Sequence, residues 1–167
     1  IDVTNYNDSL YQSGITIMDF ESLNFSGGID QYGEPLWFVD KNGFAERFVF
    51  TQFLENGNAV GFGPGAGYEI NLDGNIIFQT PTIYSVHHDF NKTAHNTYFF
   101  ISATVENQYC PDECNDNLSD QIPWQGDIYR EFDKEGNEIW SWSTFDYFNL
   151  TEYNPYYVEV YNGWGDM

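Results

Sequence analysis

Glu69-Ile70-Asn71-Leu72-Asp73-Gly74-Asn75-Ile76-Ile77-Phe78 decides the fold, because its pattern occurs three times. The other copies are Gly28-Ile29-Asp30-Gln31-Tyr32-Gly33-Glu34-Pro35-Leu36-Trp37 and Glu131-Phe132-Asp133-Lys134-Glu135-Gly136-Asn137-Glu138-Ile139-Trp140. Each reads apolar residue, Asp or Asn, two residues, Gly, three residues, large aromatic. The physical translation is a strand, a tight reversal and a second strand that buries the aromatic. The glycine supplies the positive φ that such a turn needs.

A second kind of hairpin alternates with the first. Phe48 to Phe62 turns around Glu55-Asn56-Gly57-Asn58, and Val86 to Ile101 turns around Asn96. Gly33 and Gly74 lie 41 residues apart, and Asn58 and Asn96 lie 38 apart. Two hairpins per period of this length give four strands, the size of a β-propeller blade. No stretch shows helical periodicity. Short β-prone runs such as Gly14 to Phe20, Pro35 to Val39, Arg47 to Leu54, Asn75 to Gln79 and Thr97 to Ala103 alternate with Gly, Asn and Asp turns.

The expectation is an all-β chain of about three four-stranded antiparallel blades, with repeats at 14–63, 64–103 and 127–167. The surplus residues, 104–126, read as an inserted loop, the kind of segment that often carries function. Propellers close with about four to eight blades. Three blades form an incomplete ring, so the reading calls for remaining blades or identical subunits to cover the open edges.

The formal net charge is -21, from 26 acidic and 5 basic side chains. Phosphate recognition needs clustered Lys and Arg, so nucleic acid and anionic membrane surfaces are excluded as partners. Aromatic residues make up 20% of the chain, which demands an ordered, sheet-rich core despite the charge. No apolar run approaches the roughly 18 to 20 residues of a membrane-spanning helix. The acid excess permits Ca2+. The densest run, Asp112 to Asp120, lacks EF-hand spacing and reads as a solvated loop, so no cofactor is expected.

Cys110 and Cys114 form a C-x3-C pair, too few ligands for a zinc site and suited to a short-loop disulfide. Sequons begin at Asn7, Asn24, Asn91, Asn117 and Asn149. Together these features point to an extracellular or periplasmic glycoprotein.

Chemistry concentrates in Val86-His87-His88-Asp89-Phe90, where two of the three histidines adjoin a carboxylate. Imidazole is the one side chain that is both nucleophile and general acid or base near neutrality. Asp89 is the nearest carboxylate in sequence, although neighbours on a strand point to opposite faces. An ordinary structural hydrogen bond competes with a catalytic role here.

The order of these elements resembles the arylsulfotransferase family. The resemblance rests on Tyr11 to Ile17, Leu54 to Asn58, Tyr68 to Gly74, His87-His88-Asp89-Phe90, Asp127 to Trp142 and Phe145 to Phe148. It implies a secreted β-propeller that moves a sulfuryl group from a phenolic sulfate donor to a phenol acceptor through histidine. It further implies that His88, or less directly His87, is catalytic and faces a central channel; Arg130, on a predicted blade strand, is the candidate for binding substrate. The family also uses histidines and an arginine from later blades, among them the nucleophile. After His88 this chain offers only His95, so it supplies part of such a site. The competing reading is a non-catalytic extracellular module or filament subunit that serves assembly or glycan binding.

Overall fold

Five hairpin turns built to one plan organise the described chain. A computed structural model describes residues 7, 9–10, 12–20, 25–40, 48–109, 121–152 and 165–166. In the turns 30–34, 54–58, 71–75, 93–97 and 133–137, the first N–H donates to the fifth carbonyl and the fourth N–H to the first carbonyl. The fourth residue is left-handed each time: Gly33, Gly57, Gly74, Gly136 and, as the one non-glycine, Asn96 at φ 61°. Asn tolerates that region better than most side chains. Short polar side chains close the loops: Asp30, Asn56, Asn71 and Asp133 accept backbone N–H groups through carboxyl or amide oxygens, and Thr93 through its hydroxyl.

These turns join strands into three sheets of consecutive neighbours. The first holds β1 (Thr16–Phe20), β2 (Phe25–Ile29) and β3 (Pro35–Asp40). The second holds β4 (Val49–Phe53), β5 (Ala59–Gly63), β6 (Ala66–Ile70) and β7 (Ile76–Gln79). The third holds β8 (Val86–Lys92), β9 (Tyr98–Tyr109), β10 (Gln121–Phe132) and β11 (Glu138–Ser143), all antiparallel. The short β12 (Gly165–Asp166) adds a parallel pairing to β10 at Trp124 and Gln125.

Two apolar layers bind the sheets face to face. Val39, Phe48, Ala59, Ala66, Tyr68 and Ile70 fill the first, with Trp37 and Phe50 against them. Val60, Val86, Phe90, Tyr98, Phe100 and Phe132 fill the second. Full burial of a side chain such as Phe90 stabilises by about 1.5–3 kcal/mol. Gly67 makes room for it, since a Cβ there would stand 2.1 Å from the Phe90 ring. The third sheet is tied to the second through Val86, whose N–H donates to the Gly65 carbonyl.

Two expectations need correction. The sheets divide the chain at other points than the repeats 14–63, 64–103 and 127–167, because the repeated Asp/Asn-x-x-Gly turn joins the last two strands of each sheet. A boundary after residue 63 therefore cuts between β5 and β6, which pair along their length. Residues 104–109 and 121–126 are not loop either: they prolong β9 and β10 in unbroken register, from Gln121↔Tyr109 to Gly126↔Thr104. Alternating buried and exposed positions there, with Ile122 and Trp124 inside, make them strand. Pro123 is tolerated because it lies near the far end of that ladder. Cys110 and Cys114, the acidic run 112–120, Asn24 and Asn117 lie outside the described residues.

The topology sorts the molecule into two rims. All five tight turns lie at one end of the sheets. The start of β8, the extension of β9 and β10, and the 3-10 turn Thr82–Tyr84 lie at the other.

Candidate functional site

The histidines sit where β8 departs from regular pairing. His87 pairs with Ile101 and Phe90 with Phe100, so His88 and Asp89 are extruded as a bulge. His88 adopts φ 59°, a left-handed conformation that costs a non-glycine residue of order 1–3 kcal/mol. The bulge exposes the His88 and Asp89 side chains. The two imidazoles meet edge to face, with ring centroids 4.9 Å apart.

His87 occupies a cross-strand row, His87–Ile101–Tyr129–Trp142, on the face of the third sheet turned away from the second. Its Nε2 is shielded from solvent and lies 3.1 Å from Asp127 Oδ1. The geometry is not that of an aligned hydrogen bond, so the two atoms meet as a close polar contact. Asp127 is held in turn: its N–H donates to Thr144 Oγ1 at 3.0 Å, and the short helix α1 (Thr144–Tyr147) packs over Gly126. A Cβ on Gly126 would stand 2.5 Å from Thr144 Oγ1, so only glycine admits the helix. Ser143 caps α1 through the Phe145 N–H.

The carboxylate in contact with His87 is thus Asp127, forty residues on. The Asp89 Oδ1 accepts from the Asn91 amide at 2.7 Å. Sequence reasoning missed Asp127 because a whole strand, β9, lies between its strand and that of His87. The signal available was the alternation of β10, which puts Asp127 and Tyr129 on one face.

The same alternation turns Arg130 to the opposite face. Its Nε donates to Ser102 Oγ at 2.9 Å, its Nη1 pairs with Glu138, and its guanidinium lies 4.7 Å from the Tyr84 ring centre. Arg130 is a structural tether in this arrangement, away from the imidazoles. Lys92 is likewise engaged, with Glu69, and Lys134 pairs with Glu135 at the turn rim. Among the described residues, then, the basic side chains are committed elsewhere, and Asp89 and Asp127 flank the histidines. An anion bound there needs imidazolium charge plus cations from outside these residues.

Beside His87 the face becomes aromatic. Tyr129 meets Trp142 at 5.6 Å, Trp142 stacks on Tyr147 at 4.9 Å, and Phe99 lies 6.0 Å from Trp140. The apolar groove formed by Ile17, Trp37, Phe53 and Leu72 lies at the opposite rim and contains no titratable group. Among the described residues no cluster of three His, Cys, Asp or Glu side chains is set to hold a metal ion. Of the sequon asparagines described, Asn7 and Asn149 are exposed and Asn91 is half-buried.

A family model, Arylsulfotransferase (ASST), matches residues 2–162. The chain belongs to the arylsulfotransferase family. The match spans β1 to β11 and includes His87 and His88. A search of curated proteins found no match. Membership of the family implies a phenolic sulfate donor and a phenolic acceptor as the general substrate class. No helix among the described residues is long and apolar enough to cross a membrane.

Proposed function

We propose that the chain forms three blades of a secreted β-propeller and contributes His88 and His87 to a sulfuryl-transfer site. The observation that carries this reading is His88 itself: an exposed imidazole held left-handed in a bulge, within a chain of the arylsulfotransferase family. Strain at an exposed, chemically able side chain is a mark of function. His88 hydrogen-bonds or charge-pairs with the sulfuryl oxygens, while Asp127 fixes His87 behind it. In the transfer, a nucleophilic imidazole attacks sulfur, an N–S bond forms, the S–O bond to the aryl group breaks, and the phenolate leaves with the electron pair. The acceptor oxygen then attacks sulfur, the N–S bond breaks, and the acceptor's proton goes to a base. The shortage of free cations among the described residues supports a shared site to which other blades contribute.

The test is turnover of a chromogenic aryl sulfate, such as nitrophenyl sulfate, with phenol as acceptor, by the longest natural polypeptide containing this sequence. Release of nitrophenolate that falls at least about 100-fold in His88→Asn supports the reading. No turnover in that polypeptide sinks it. The exposed Trp140, Tyr147 and Phe148 favour a second reading, an assembly or glycan-binding module, which predicts ordered polymers or saturable sugar binding without turnover.

A further inference from the structure

In each sheet one cross-strand pair, just before the last turn, faces the sheet that follows. The pair is Gly28↔Trp37 in the first sheet and Glu69↔Phe78 in the second. Each meets the pair beside the first turn of the next sheet. Phe53↔Ala59 meets the first, with Trp37 and Phe53 edge to face at 5.8 Å. Lys92↔Tyr98 meets the second. There Phe78 stacks on Tyr98 at 3.7 Å, while Lys92 Nζ and the Tyr98 hydroxyl donate to Glu69 Oε2 at 2.7 and 2.6 Å.

The two junctions differ in a matched way. Gly28 offers no carboxylate and receives Phe and Ala. Glu69 offers one, is 1% exposed, and receives an ammonium and a hydroxyl. The third sheet repeats the second: its pair is Glu131↔Trp140. Thr97 Oγ1 donates to Glu131 Oε1 at 2.5 Å, as the Asn58 amide donates to Glu69 Oε1 at 2.6 Å. Trp140 is 46% exposed, and Thr97 is the hydrogen-bond partner of Glu131 among the described residues.

We infer that the Glu131–Trp140 face docks a further sheet of this repeat, whose first hairpin carries a lysine before its turn and a tyrosine after it. An apolar hairpin would bury the Glu131 carboxylate without a counter-charge, at strong cost. A second copy of this chain is disfavoured by the charge of -21 on each molecule. The copy's own lysine–tyrosine pair is also already closed on Glu69. The inference stands on the stacking alone and does not depend on sulfuryl transfer. Its test uses no substrate, so failure of one leaves the other standing.

The probe is a backbone-cyclised peptide of residues 86–102, which contains the Lys92↔Tyr98 pair and no tryptophan. NMR first verifies its cross-strand contacts. Titrated into the full chain, it should bind saturably and change the tryptophan fluorescence. Glu131→Gln in the chain and Lys92→Met in the peptide should each weaken binding about tenfold or more, and the two together little further. Trp140→Ala should weaken it independently, which keeps the test valid if Glu131→Gln does not fold. Absence of binding by the verified hairpin, or binding indifferent to Glu131→Gln and Trp140→Ala, overturns the proposal. Self-association of the chain that Trp140→Ala abolishes would assign the face to a second copy and overturn it too.

Discussion

Replacing Lys92 by Met tests whether the sheets are locked by the buried cluster at Glu69. The Glu69 carboxylate is 1% exposed and receives Lys92 Nζ, the Tyr98 hydroxyl and the Asn58 amide. Removing one partner of a buried ion pair costs about 3–5 kcal/mol, because the other charge stays behind. Two donors remain on Glu69, each charge-assisted bond contributing about 1.5–3 kcal/mol. The low end therefore applies, and Lys92→Met should destabilise by about 3 kcal/mol at neutral pH. Glu69→Gln leaves an ammonium that is 17% exposed and still hydrated, so about 1–2 kcal/mol is expected. Burial pushes the Glu69 carboxyl up, but hydrogen bonds from Lys92, Tyr98 and Asn58, with the Lys92 charge, outweigh it and hold the group below its ordinary value. The folded state then binds fewer protons than the unfolded one, so this stabilisation is present above the unfolded pKa and falls away as pH drops through the folded one. For Tyr98, burial first and then the Glu69 hydrogen bond and charge raise the hydroxyl, whose contribution is full below its unfolded pKa and is lost as pH climbs toward the folded one. Urea unfolding followed by tryptophan fluorescence between pH 3 and 8 reads the acid limb. A Lys92→Met variant within about 0.5 kcal/mol of the parent, or an unchanged acid slope in Glu69→Gln, would refute the reasoning.

Three further outcomes follow from local geometry. His88→Gly should relieve the left-handed strain and raise stability by about 1 kcal/mol while lowering aryl sulfate turnover; equal turnover would remove His88 from the site. Gly67→Ala drives a methyl into the buried Phe90 ring and should lower stability by at least about 1–3 kcal/mol in thermal unfolding, a neutral result contradicting the packing of the second on the third sheet. Gly136→Ala meets no atom within 4 Å but must hold φ 87°, so about 1 kcal/mol of purely backbone cost should appear, and Gly136→Asn should recover part of it.

The turns were legible because their chemistry is local. Asp/Asn-x-x-Gly places the cap, the reversal and the left-handed residue within five positions, and the turns at 30–34, 71–75 and 133–137 follow the pattern. Phase was not legible, since a repeat read from its turns does not say which strands share a sheet. The extension of β9 and β10 was hidden by Cys110, Pro111 and Pro123, which mimic loop composition. Half of the candidate site was visible as His87 and His88. Asp127 was not, because strand pairing and a bulge bring it to His87 across forty residues. The Glu69 cluster was in view as composition, but two of its partners, Lys92 and Tyr98, belong to the next sheet.

The tight turns also set the order in which the molecule can assemble. Each closes a contact between residues four apart and needs no other part of the chain. Hairpins of this size form in roughly 1–10 μs, long before sheet faces separated by tens of residues find one another. Substitutions at the turns should therefore slow folding. Substitutions at the inter-sheet cluster or the bulge should chiefly hasten unfolding. The rim that bears the histidines is then free to be strained, because it is not the rim that starts the fold.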